Sequence, residues 1–301
     1  MRLPGTSGLL LVLVLAWAIG AVFTPDVESN GVLALSVGDA ILQHIRPWVY
    51  VTAGFYHPYA LQLLLVLPLA FGLAKRVEPD LGPVNLAKML LFANTLSSIV
   101  LFIDLFSFFI IFRNPTYLRT SVSGFTGGIT ALLVAFMKPS PHASAPILPG
   151  LKLRFYPLAA SLFFSTLSVI GLLSSSVAIR NTLIGAGPFS VMGGFFGWYY
   201  LRFLAKNRDH SHGDVSDEFE LVTLLPDACA YVTALIEADC FNSIASILTK
   251  RNAPQTDCRT DRQFLLQRRQ AVRILQETPR SRTSDAPDPR GKWFCVEPPW
   301  D

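Results

Sequence analysis

Charge is what this sequence has least of. Only 15% of its 301 residues are Asp, Glu, Lys or Arg, against 51% apolar ones. A soluble domain normally carries about 25% charge, so an ordinary water-soluble globule is excluded for most of the chain. Cysteine is absent before Cys229; Cys229, Cys240, Cys258 and Cys295 all follow the apolar part. Their spacings match no zinc or redox pattern, which argues for reduced thiols and against a metal centre. Histidine is equally sparse. Five occur, His44, His57, His142, His210 and His212, and none lies in the last apolar run. No nucleic-acid partner and no cofactor is expected.

What is present is long apolar stretches. Crossing a bilayer takes about 20 apolar residues, and six runs approach that length: 8–23, 57–74, 86–112, 122–137, 155–173 and 182–204. The third is over-long and contains neither Gly nor Pro, so tilt or a bend near Asp104 is expected rather than a split. The fold class read from this pattern is an all-α polytopic membrane protein, a six-span helical bundle over 1–205. A partly helical cytosolic tail with amphipathic helices follows at 206–277, and 278–301 is expected to be disordered. With a cytosolic N-terminus, the inner loops carry Lys75, Arg76, Lys88, Lys138, Lys152 and Arg154. The outer ones carry Arg46, Arg113, Arg119 and Arg180. The positive-inside rule then puts both termini in the cytosol. The first run also reads as a signal peptide, with a cleavage-like Ala18-Ile19-Gly20.

Several residues invite a chemical reading. Ser123 precedes Gly124 at the head of the fourth run, where a nucleophile would act on peptides inside the bilayer. A serine hydroxyl needs a general base within hydrogen-bond reach. His57, at the entrance of the second run, is the one histidine close to a span. Gly124 and Gly128, and Gly193 and Gly197, are four apart; such pairs let two helices approach closely in lipid. Spans four and six are therefore expected to pack through them, with Ser123 facing Ser190. Asn94 and Asp104 are polar residues inside the third run and, with Ser123 and Ser190, form a candidate polar or client-binding site. The Trp198-Tyr199-Tyr200 cluster with Arg202 reads as an interfacial anchor. In the tail, 206–249 carries a balance of −6 and 250–292 one of +6. The basic helix around Arg268, Arg269 and Arg273 suits anionic membrane lipids, a partner helix or solvent.

The six spans, the Ser-Gly and the Gly-x-x-x-Gly together resemble the rhomboid superfamily. That resemblance implies a Gly-x-Ser-Gly serine in span four paired with a histidine just before the Gly-x-x-x-Gly of span six. Here the first motif reads Ser121-Val122-Ser123-Gly124, and Ser190 stands where the histidine belongs. "VEPDLG" (Val77–Gly82) resembles the Glu-x-x-x-Gly that ends span two. Counting back from Glu78 puts Gln62 and Val66 at the oxyanion-stabilising positions. "GFTGGITALLVAFMK", "FFGWYYLRF" and "GDVSDEFELVTLLPD" (Gly213–Asp227) more closely resemble the transmembrane protein 115 family, rhomboid-like Golgi membrane proteins without attributed protease activity. The resemblance implies a non-catalytic pseudoprotease in the Golgi membrane that serves retrograde Golgi-to-endoplasmic-reticulum vesicle transport. Its partners would be the conserved oligomeric Golgi complex or similar tethering or coat components, transmembrane clients, or a second copy. The tail would bind them through Gly213, Asp214, Phe219, Pro226 and Asp227 and through the three arginines. Two rivals stay open: a rhomboid-type serine protease using Ser123, and a small-solute transporter.

Overall fold

A computed structural model describes residues 4–23, 32–38, 46–141, 143, 152–206, 213, 219 and 221. It is mostly helical, and four helices are long and apolar enough to cross a membrane. They are α1 (Gly5–Phe23), α3 (Ala60–Leu81), α4 (Pro83–Phe112) and the run Leu153–Leu173, a 3-10 turn leading into α7 (Tyr156–Leu173). The shorter helices among the described residues are α2 (Val49–Thr52), α5 (Thr116–Arg119), α6 (Thr126–Met137), α8 (Val177–Leu183) and α9 (Ala186–Tyr199). α9 continues as a π turn over Tyr200–Leu204.

The element ends differ from the sequence reading where the backbone chemistry dictates. α3 starts at Ala60 rather than at 57 because Tyr59, after Pro58, is extended. α4 runs unbroken to Phe112, as a stretch without Gly or Pro should. It ends where Arg113 turns left-handed at φ 51°. The fourth run does not begin as helix at 122. Ser121–Val122 is a strand, β2, paired antiparallel with β1 (Leu35–Ser36), so a small ladder interrupts the all-α expectation. The sixth run is divided between the end of α8, α9 and the π turn.

α6 is the centre of the bundle. Ten of its twelve residues are buried, which is why its sequence is apolar all round rather than striped. It packs against α9, α4, α3 and α7. The α6–α9 seam is made by small residues. A Cβ added at Gly193 would lie 2.3 Å from Gly127 Cα, and one at Gly197 2.7 Å from Ala131 Cβ. The register therefore differs from the one expected from the glycine pairs. Gly124 lies ahead of the helix and Gly128 faces the Phe125 ring, so Gly127 and Ala131 carry the α6 side.

At one end of the bundle the start of α1 meets the α3–α4 turn. Glu78 accepts from the N–H groups of Gly5 and Thr6 and from the Thr6 hydroxyl, so its carboxylate caps α1. Asn85 Nδ2 donates to the Lys206 carbonyl at 3.0 Å, bringing the end of the π turn to the same place. Gly213 and Phe219, expected to bind a partner, are used by the domain itself. Gly213 N donates to Ala205 O at 2.7 Å. Its φ of +75° and its approach to the Arg202 carbonyl leave no room for a Cβ. Phe219 is buried in the core, its carbonyl accepting from Trp198 Nε1 at 3.0 Å and its ring facing Lys138. Trp198 is thus a core residue rather than an interfacial anchor. Asp214, Pro226, Asp227, Arg268, Arg269 and Arg273 lie outside the described residues, as do the four cysteines and His44, His142, His210 and His212.

Candidate functional site

β2 delivers Ser123 to the head of α6, 7% exposed and flanked by Gly124. Gly124 has φ +131°, a conformation L side chains avoid. This sharp turn aims the next two N–H groups back at the segment before α3. Gly124 N donates to Ala53 O at 3.0 Å, and Phe125 N donates to His57 Nε2 at 3.4 Å. His57 is fully buried. It sits in the segment ahead of α3, where burial pushes its imidazole down to about 4 against a weaker upward pull from the Phe55 carbonyl. The ring is therefore neutral. Because Nε2 accepts a hydrogen bond from the Phe125 N–H, the ring hydrogen resides on Nδ1.

That assignment decides what the site can do. A general base must offer a lone pair to the Ser123 hydroxyl. The imidazole's one lone pair is occupied by the Phe125 N–H, and Nδ1 is a donor. No hydrogen bond joins Ser123 to His57 among the described residues. An oxyanion hole needs free donors beside the nucleophile, and the two N–H groups after Ser123 are both engaged. Ser190, at the position the resemblance assigns to the histidine, does not face Ser123 either. Its hydroxyl donates to Ser161 Oγ on α7 at 3.4 Å, and its carbonyl accepts from Thr130 Oγ1 at 2.8 Å.

Around the serine lies a group of neutral polar side chains. Gln62 comes from α3, and a Cβ on Gly124 would sit 3.3 Å from its Nε2. The residue count from Glu78 thus led to a real neighbour of the Ser-Gly turn. Val66, one turn further on, is apolar core. Asn94 comes from α4 and is fully buried between two glycines of other elements. A Cβ at Gly54 would meet its Cγ at 2.7 Å, and one at Gly127 its Oδ1 at 3.4 Å. Ser97 lies one turn along the same face. His57 Nδ1, Gln62 Oε1, both amide atoms of Asn94 and Ser97 Oγ are buried without a hydrogen-bond partner of ordinary geometry. Asp104 is not part of this group. It lies ten residues further along α4, about 15 Å by helical rise, and is half-buried. Among the described residues no three His, Cys, Asp or Glu side chains gather as metal ligands would. The contribution of His57 was hidden in the sequence, since 68 residues separate it from Phe125 and no periodicity links them.

Comparison with known proteins fits this framework. The chain is similar to rhomboid-like protein 19 of Arabidopsis thaliana, 23% identical over 181 residues, which cover 60% of this chain and 56% of the plant protein. It thus spans little more than half the length of that relative. No solved structure matches. The model of the family described as eukaryotic integral membrane protein (DUF1751) matches residues 7–286, and the chain belongs to that family.

Proposed function

We propose that this chain is a non-catalytic, six-span rhomboid-like membrane protein, a pseudoprotease in which the shorter α6 and α9 also cross the bilayer. The observation that carries the proposal is the engagement of His57 Nε2 by the Phe125 N–H, which leaves Ser123 without a base. The similarity to a rhomboid-like plant protein supports the framework. The finer assignment follows the transmembrane protein 115 resemblance. The chain is a Golgi membrane scaffold with both termini in the cytosol. Its tail recruits the conserved oligomeric Golgi complex or a similar tethering or coat component in retrograde Golgi-to-endoplasmic-reticulum transport. In support of that orientation, Lys75 and Arg76 lie in the second half of α3 before the Glu78 cap, and Lys138 caps the end of α6. Lys206, just past the π turn, accepts from Asn85 at the start of α4.

Proximity labelling in cells from a tag at the C-terminus tests this. Deletion of 228–277 spares Gly213, Phe219 and Leu221, which the membrane domain needs. The expected result is enrichment of tethering or coat components by the full chain and their loss on deletion. A labelled set without them removes the trafficking role.

A further inference from the structure

Asn94, fully buried, presents a donor and an acceptor that nothing in the described protein satisfies. An unmet amide in an apolar interior is costly, and buried polar groups are ordinarily paired. Two more such side chains lie close by: Ser97 shares the Asn94 face of α4, and Gln62 of α3 lies beside the Gly124 turn. The cluster meets the outside where Gln62 is half-buried and Ser123 is 7% exposed. None of these groups carries a charge, since amides and hydroxyls are neutral. A charged ligand would find no counter-charge there, whereas a neutral group that both donates and accepts would satisfy the Asn94 amide in both directions.

From this geometry we infer that the Asn94–Ser97–Gln62 cluster is a binding site for a neutral carboxamide group. It deepens the non-catalytic reading and rests on it, because Gln62 lies beside the Ser123-Gly124 turn where a scissile peptide would otherwise be held. Two sources share the chemistry: an Asn or Gln side chain on another protein's transmembrane helix, and a free small amide. In hydrocarbon such hydrogen bonds contribute modestly but measurably to helix association.

The test uses the full chain reconstituted in nanodiscs. One arm measures fluorescence-transfer binding of a polyleucine peptide of about 20 residues carrying a single central Asn, against an all-Leu control. The other measures whether acetamide raises the thermal unfolding midpoint. A transmembrane source predicts the Asn peptide binding roughly 3- to 20-fold tighter than the control, with the advantage lost in Asn94→Leu. A free-amide source predicts equal peptides and an acetamide shift that Asn94→Leu abolishes. Should Asn94→Leu fail to fold, Ser97→Ala carries the comparison, with a partial loss expected. No Asn advantage together with no acetamide shift overturns the inference. The peptide is recovered and weighed by mass spectrometry afterwards. An intact peptide with neither Asn dependence nor an acetamide shift defeats only this inference, whereas a cleaved one defeats the non-catalytic reading.

Discussion

Gly193→Ala should be among the most damaging single-methyl changes this membrane domain can take. The added Cβ would lie 2.3 Å from Gly127 Cα and 2.3 Å from Gly127 O, both backbone atoms that cannot rotate away. Carbon contacts are comfortable only from about 3.5 Å, so α6 and α9 must part by roughly 1 Å. Overpacking of this kind costs about 1–3 kcal/mol. The same displacement stretches the 2.8 Å bond from Thr130 Oγ1 to the Ser190 carbonyl beyond hydrogen-bond range. That adds about 1 kcal/mol, for a total of about 2–4 kcal/mol. The adjacent Gly194→Ala is the control. Its Cβ would meet nothing closer than Thr130 Cβ at 3.7 Å. Alanine's better helix propensity, about 0.8–1 kcal/mol, leaves it neutral or slightly stabilising. The assay is reversible unfolding by SDS titration in mixed micelles, followed by circular dichroism. Equal midpoints for the two variants would refute the claim that the α6–α9 seam is a backbone-to-backbone contact.

Other consequences follow from the same geometry. Glu78→Gln keeps the shape but weakens the cap on α1, and about 1 kcal/mol of stability should be lost; in the same SDS titration, unchanged stability would mean that α1 is held by packing alone. For His57 the folded state binds its proton only near pH 4, while the unfolded chain does so near 6.5. Stability should therefore be full above pH 6.5 and decline as pH falls towards 4, by about 1.4 kcal/mol per unit. A pH series comparing wild type with His57→Asn should show that slope only in the wild type. Phe219→Ala should cost about 3–5 kcal/mol through the cavity it leaves and expose the chain after Leu204 to limited proteolysis. A partner-binding role alone would leave both unchanged.

Much of the architecture was legible because lipid imposes simple rules. The runs at 8–23, 86–112 and 155–173 match α1, α4 and α7 within a few residues, since only a helix can satisfy their backbone there. The glycine spacing identified the helix pair but not the register. Ala131 is small enough to substitute for a glycine, and Gly124 is spent on a turn whose φ of +131° no pattern announces. Gly213 and Phe219 stood out by motif, yet their use lies in sealing α9, a tertiary role invisible in a linear motif. The pairing of His57 with Phe125 was likewise beyond reach, because it depends on where a loop before α3 meets a turn before α6.

The most direct trial of the central claim is cleavage of a transmembrane reporter co-reconstituted with purified protein, comparing wild type, Ser123→Ala and His57→Ala. The account predicts the same background product from all three, with no adduct on Ser123 after fluorophosphonate treatment. Product formed by the wild type and lost in both variants would show that the imidazole can release Phe125 and serve the serine, and would contradict it.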